Sequence, residues 1–275
     1  DVIHFAEGLL TPAKPFIKAH HIDSEFPIVV THHDVDENMV FTASEHTSFP
    51  NKVTIALMNM VDILIPKINT NFEIVHSTTN ENSLLNMGRS AEDIERIPHG
   101  TYSFFKSGSE TVQNEAKQTD VLFFGKILPV KGVDTLIRAI PKVKEDLPDV
   151  TVTIAGQGKI TKESQEIINK NPETFSIQNE YIPNKEVSRL FTNTKIVVIP
   201  HKEQAGHSGT LTIALAFGRP IVSTNVGDFP DIIEESGCGI TVNPDNSVEM
   251  ANAITTLLAN NEARQTMSDN AIQKA

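Results

Sequence analysis

The sequence predicts an α/β fold organised around a doubly wound parallel sheet. Three observations carry that expectation. Short runs such as residues 150–155 and 196–200 are apolar and β-branched on consecutive positions, as strands covered on both faces must be. Segments of helical spacing fall between those runs, and such alternation folds with right-handed crossovers into a parallel sheet. Glycines close strands or turns at Gly125, Gly156 and Gly227. With 275 residues, the chain is long enough for two domains of ordinary size.

In chain order, residues 1–5 read as a short strand, and 6–26 as loop and helix with prolines. Residues 27–31 are a buried strand ending in His32-His33-Asp34. Ligands gather at the carboxyl ends of parallel strands, so this His-Asp pair is either a site or a solvated loop. Residues 35–50 read as loop. Residues 51–66 have helical spacing through Val53, Ala56, Leu57, Met60 and Ile63. A strand is expected at 72–77, a helix at 78–88 ending at Gly88, and a strand and tight turn at 94–100. The polar stretch 106–118 is the best domain boundary, dividing the chain into 1–108 and 109–275. Beyond it, strands are expected at 121–125, 150–155, 175–182, 196–200, 221–224 and 240–242. Helices are expected at 133–147, 162–169, 186–191, 210–217, 230–235 and 248–259, with a polar helical tail at 260–275.

Composition limits what the chain can do. Apolar residues make up 39% and charged residues 21%, which suits a folded globular protein. The single cysteine, Cys238, rules out an internal disulfide and points to a reducing, cytoplasmic setting. Its Ser-Gly-Cys-Gly context reads as packing. No apolar run reaches the roughly 20 residues of a membrane span, and no signal peptide is visible. Net charge is −12, and residues 1–100 hold 6 Lys/Arg against 14 Asp/Glu, or −8. That argues against nucleic-acid partners and an electrostatic hold on anionic lipid. An anionic ligand must therefore be met by local donors, which the second half supplies.

The densest local signal is residues 207–233. Ser208 suits an N-cap, Gly209 lets a backbone come close to a ligand, and a helix-forming run follows until Gly218 and Pro220. The first turn of such a helix exposes unpaired N–H groups and a positive dipole end. The stretch is either a phosphate site or a plain helix cap. Lys126 and Lys131 lie on the loop after the strand at 121–125, and with the 209–211 backbone they would form a phosphate clamp; alternatively they are solvated charges. Glu203, after the strand end at Pro200, is a candidate ligand contact or an exposed loop acid.

Four stretches together resemble the family 4 retaining glycosyltransferases: FFGKILPVKGVDTLIRAI (123–140), TIAGQGK (153–159), the segment 197–233, and VVTHHD (29–34) with 74–100. The resemblance implies two Rossmann-like domains facing across a cleft, the B-type (GT-B) fold, with the acceptor domain first and incomplete. About 80 residues, by the usual size of βα units, would be missing from its front, so that this chain alone would bind donor, self-associate and transfer poorly. It also implies a nucleotide-diphosphate sugar donor, retention of configuration without a carboxylate nucleophile, and a glycan, lipid or small-molecule acceptor. The residues implied for reaction are His33 against the sugar, Lys126, Lys131 and Glu203. Those implied for donor binding are Gly125, Gly156, Tyr181, Ile182, His207, Ser208, Gly209, Thr210 and Leu211. No cofactor is implied, and without an Asp-X-Asp motif no metal. Peripheral membrane contact stays open. Three positions depart from the family pattern, the first being Glu203, which stands for the first of the family's two glutamates but two residues early by spacing. Ile213 stands where a second glutamate is usual, and Lys126 where arginine is frequent, so charge is kept but the bidentate fork is lost. Other readings are another GT-B enzyme, such as a nucleotide-sugar epimerase or phosphorylase, or a non-catalytic binding module.

Overall fold

The computed structural model describes residues 1–6, 10–32, 35, 69–98, 100, 102, 104–105, 118–203 and 208–275. The helix expected at 51–66, most of the stretches 35–50 and 106–118, and the candidates His33, Asp34 and His207 lie outside the described residues. Contacts divide the chain into two compact units, Asp1–His99 and Gly100–Ala275. No helix among the described residues is long and apolar enough to cross a membrane.

The first unit carries strands β1 (Ile3–Ala6), β2 (Ile28–His32), β3 (Phe72–Val75) and β4 (Ile94–Arg96), all parallel and in the order β1-β2-β3-β4. Helices α1 (Leu10–Ala19), α2 (Ile22–Glu25) and α3 (Thr78–Asn86) accompany them. The Ser77 hydroxyl caps α3 by accepting from the Asn80 N–H, the role for which short hydroxyl residues are favoured at this position. Ile17, Ile28 and Val30 form one buried cluster, and Val75, Leu84 and Ile94 another.

The second unit is a six-stranded parallel sheet with strands β5 (Thr119–Phe124), β6 (Val152–Ala155), β7 (Phe175–Gln178), β8 (Thr194–Ile199), β9 (Ile221–Thr224) and β10 (Gly239–Val242). Their order is β10-β9-β8-β5-β6-β7. Helices α4 (Val133–Asp146), α5 (Lys162–Lys170), α6 (Asn184–Thr192), α7 (Gly209–Ala216), α8 (Phe229–Ser236), α9 (Ser247–Ala259) and α10 (Asn261–Lys274) alternate with them. Successive strand residues serve opposite faces. Val121 and Ile154 join Leu136, Ile140 and Ile254 on one face, whereas Leu122 and Val197 join Phe191, Leu211 and Phe229 on the other. Burying one such side chain is worth about 1.5–3 kcal/mol, so the continuous apolar runs are what fix a sheet covered on both sides. The lone Cys238 is buried, and burial pushes its thiol pKa up.

The strand expected at 72–77 ends at Val75, because Ser77 already caps the next helix, and the strand expected at 175–182 is shortened further. β7 stops at Gln178, so Tyr181 and Ile182 lie in the following loop and not on a strand. The reason is Asn179. Its side chain accepts from the Gly158 N–H at 2.9 Å and donates to the Gly158 carbonyl at 3.0 Å, replacing the next rung of the ladder. Pro183 then opens α6 as its N-cap.

Candidate functional site

The strand order puts a switch point between β5 and β8. The chain leaves β5 on one side, through β6 and β7, and returns as β8 on the other. Open parallel sheets bind ligands outside the carboxyl ends of their strands at such a point. The described candidates of the second unit follow the carboxyl ends of β5, β6, β7 and β8.

Two close backbone approaches build it. Gly125 and Gly156 follow β5 and β6 at φ 128 and 144, and a Cβ on Gly156 would sit 1.9 Å from the Gly125 carbonyl oxygen. Only glycine lets these two strand ends touch. The second approach lies farther along the same loop. The 3-10 turn Pro129–Lys131 ends at Gly132, φ 64, where a Cβ would meet the Pro200 carbonyl oxygen at 1.8 Å. The Lys202 N–H also donates to the Val130 carbonyl at 2.9 Å. The turn carrying Lys131 is thus fastened to the end of β8.

Lys131 is half-buried, and desolvation alone pushes its pKa down, with no ion pair recorded among the described residues. Lys126 is exposed on the same loop. The start of α7 is fastened to β5. The Thr210 hydroxyl donates to the Phe124 carbonyl at 3.0 Å, and the buried Ser208 hydroxyl accepts from the Leu211 N–H at 3.4 Å. The N–H groups of Gly209 and Thr210 belong to the first turn and have no intrahelical carbonyl to reach. A half-buried cation and a positive helix end therefore belong to the loops flanking one crevice, which suits an anion.

Behind Lys131 is a network of two cations and two carboxylates. The Asp134 carboxylate accepts from Arg138 and from Lys202, each at 2.8 Å. Asp245 accepts from Arg138 at 2.5 Å and from the Thr135 hydroxyl at 2.8 Å, with Lys202 at 3.2 Å. Burial works to raise the Asp134 pKa, but the hydrogen bonds and charges of Lys202 and Arg138 bring it below the ordinary value. Lys202 is therefore committed to carboxylates. Glu203 follows it on an exposed bend. Tyr181 is 75% exposed and Ile182 packs at the rim of the α6–α8 face. Ile213 is 4% exposed in that same apolar cluster, so no carboxylate comes from its position.

In the first unit, β2 runs through His32, whose Nε2 lies 2.9 Å from the buried Glu73 carboxylate. Arg89 at 2.5 Å and the Thr70 hydroxyl at 2.7 Å complete that carboxylate's partners. Burial pushes Glu73 up, yet the His32 and Thr70 hydrogen bonds and the Arg89 charge bring it below the usual value. His32 is thus a buried-pair partner.

Sequence reasoning missed two residues. Tyr102 packs so closely to α7 that a Cβ on Gly209 would lie 3.3 Å from its ring, and the Ser188 hydroxyl bonds the neighbouring Phe105 carbonyl. The aromatic run Tyr102, Phe104 and Phe105 was its only signal. The other is His201, buried at the end of β8, which no motif marks.

Comparison with known proteins adds a family. The family model described as "Glycosyl transferases group 1" matches residues 108–274. Spore coat protein SA of Bacillus subtilis is 28% identical over 153 residues, covering 53% of this chain and 41% of that protein. Alpha-D-kanosaminyltransferase of Streptomyces kanamyceticus is 28% identical over 158 residues, covering 55% of this chain and 39% of the other. The chain thus spans about four tenths of the length of these curated relatives. The crystal structure of Anabaena HepE in complex with UDP shares the fold, with a TM-score of 0.71 at 18% identity over 98% of this chain and 72% of that one.

Proposed function

Since the chain belongs to the glycosyl transferases group 1 family, we propose that it binds a nucleotide-diphosphate sugar and serves transfer of a hexosyl-type sugar to an acceptor hydroxyl with retention of configuration. The observation that carries this reading is the half-buried Lys131 with no ion pair among the described residues, on the crevice that the start of α7 also flanks. Breaking the sugar–oxygen bond places negative charge on the departing diphosphate. Positive groups already held in place there stabilise that charge without reorganising. Lys126, Lys131 and the N–H groups of Gly209 and Thr210 are the groups assigned to it, with Leu211 completing the same first turn while its own N–H is held by the Ser208 hydroxyl. Ser208 and Thr210 fix the helix start; Gly125 and Gly156 let the diphosphate approach the backbone. Tyr181 and Ile182 are assigned to the base, Glu203 to sugar hydroxyls, and His33 and His207 to the transferred sugar and its phosphate. The departing phosphate oxygen takes the acceptor proton, so no residue is assigned as a covalent nucleophile.

The lysines and the helix start supply the positive charge, so the proposed chemistry calls for no metal ion or cofactor. The acceptor is a glycan, lipid or small molecule in the cytoplasm, and peripheral membrane contact is compatible with it. Ile213 favours one second reading, a nucleotide-sugar-binding module without turnover, because the family's usual second carboxylate is replaced by a core residue. Calorimetry with UDP, GDP and ADP, followed by mass analysis of products from the corresponding nucleotide sugars, tests both. Binding with transfer supports the transferase, binding without transfer the module, and no binding by any nucleoside diphosphate removes both.

A further inference from the structure

His201 is 5% exposed at the end of β8, and nothing in the donor chemistry above uses it. Its surroundings hold it firmly. Its carbonyl accepts from the Thr224 hydroxyl at 2.6 Å, and its ring lies 5.1 Å from the Phe229 ring. The next residue, Lys202, is tied through its N–H to Val130, the neighbour of Lys131.

The two ring nitrogens differ. Nδ1 is buried and has no hydrogen-bond partner among the described residues. Nε2 makes no hydrogen bond among the described residues and is not one of the buried, unpartnered atoms. A neutral imidazole has one donor nitrogen and one acceptor nitrogen. Orphaned buried N–H groups are rarer than under-satisfied acceptors, so the lone pair belongs on Nδ1 and the proton on Nε2. The ring is uncharged, because burial, and after it the charge of Lys131, hold its pKa down to about 3. His201 therefore offers one directional donor, from its less enclosed nitrogen, within the electrostatic reach of Lys131.

We propose that His201 is a further donor-binding residue, whose Nε2–H donates a hydrogen bond to a diphosphate oxygen of the nucleotide sugar beside Lys131. A phosphate oxygen only accepts, which matches a ring whose acceptor faces inward. An uncharged donor also adds a directional bond without placing a second cation against Lys131. The inference rests on reading this crevice as the donor site and deepens it.

Two near-isosteric changes separate the nitrogens. Glutamine can carry an amide N–H to the Nε2 position, whereas asparagine reaches only Nδ1. We expect wild type and His201→Gln to bind UDP, GDP or ADP within about threefold of each other. His201→Asn and His201→Leu should weaken binding about ten- to hundredfold, the loss expected for a hydrogen bond to a charged group. Affinity for the matching nucleoside, which lacks phosphate, should be unchanged in all of them, and melting without ligand reports any damage to the fold. Equal nucleoside diphosphate affinity in wild type, Asn and Leu variants overturns the proposal, as does equal loss in Gln and Asn. Loss of nucleoside and nucleoside diphosphate binding together assigns the ring a structural role and also overturns it. Failure of the wild type to bind any nucleoside diphosphate sinks the donor-site reading itself, an outcome distinct from all of these.

Discussion

Gly132→Ala should cost more than its backbone angle alone explains. Gly132 sits at φ 64, a left-handed conformation that disfavours a residue with a Cβ by about 1–2 kcal/mol. The new Cβ would also stand 1.8 Å from the Pro200 carbonyl oxygen and 2.9 Å from its carbon, both backbone atoms. Close C···O contacts lie at about 3.3–3.6 Å, so the turn must retreat by roughly 1.5 Å. That retreat breaks the Lys202 N–H to Val130 bond, a further 0.5–1.5 kcal/mol by the usual net worth of about 1 kcal/mol. The sum is about 1.5–3.5 kcal/mol. Gly237→Ala is the matched control. Its φ is 63, and the nearest atom to its Cβ is the side-chain Nδ2 of Asn270 at 3.1 Å, which donates to the Gly237 carbonyl at 3.0 Å and need shift by only a few tenths of an ångström, against the roughly 1.5 Å at Gly132. It should show only the left-handed cost of about 1–2 kcal/mol. Urea denaturation measures both, and calorimetry with the preferred nucleoside diphosphate measures the function. Gly132→Ala should lose about tenfold in affinity because Lys131 moves with the turn, whereas Gly237→Ala should bind normally. Equal destabilisation together with equal affinity in the two variants would refute the claim that the Gly132–Pro200 approach positions Lys131.

Lys131→Ala should weaken nucleoside diphosphate binding by about 1.5–3 kcal/mol, the range for hydrogen bonds to charged groups; unchanged affinity in calorimetry would remove it from the clamp. His201 also makes an acid-stability prediction. Its pKa falls from 6.5 unfolded to about 3 folded, so the unfolded state takes up the proton first. The stability from keeping the ring neutral is therefore complete above pH 6.5 and is lost as pH falls toward 3, at up to about 1.4 kcal/mol per pH unit. Denaturation of wild type and His201→Gln at pH 7 and pH 4.5 should show the smaller acid loss in the variant; parallel slopes would contradict it. Finally, His32→Ala should destabilise the protein by about 1–3 kcal/mol, since the buried Glu73 loses a hydrogen bond. His33→Ala should instead lower turnover with nucleotide binding intact, and the reverse pattern in melting and product assays would put the sugar contact on His32.

What the sequence revealed was local, and what it hid was tertiary. β5, β6, β8 and β9 announced themselves because a strand buried on both faces is mostly apolar or β-branched on consecutive positions, and the turns after β5, β6 and β9 carry glycine. Lys131 was readable as a loop cation, but its half-burial was not, since that depends on the Gly132 turn meeting β8. The end of β7 was misjudged because Ile177 and Ile182 extend a β-like pattern across Asn179, whose bonds to Gly158 replace the ladder. Tyr102 and Phe105 sit beside a polar stretch, and only contact with α7 and Ser188 ties them to the second unit. The switch point between β5 and β8 follows from strand order, which hydrophobic patterning does not encode.

A chain with net charge −12 is an unpromising anion binder until its charges are placed. Most cations of the second unit that make ion pairs are matched one for one: Lys195 with Asp120, Lys144 with Glu173, Arg189 with Glu186, and Lys274 with Glu235. The cluster of Lys202, Arg138, Asp134 and Asp245 sums to zero, so it braces the Lys131 turn while adding little net field. Surface charges farther away are screened over about 8 Å at physiological salt. What a ligand meets at the crevice is then set by its nearest groups: Lys131, partly stripped of water, Lys126, and the first turn of α7. Burial weakens the screening of Lys131 and sharpens its attraction for an anion. The same burial makes holding its charge costly, which is why its pKa is lowered. An anion placed against Lys131 would offset that cost, so an overall negative charge is compatible with a local anion site within one small unit.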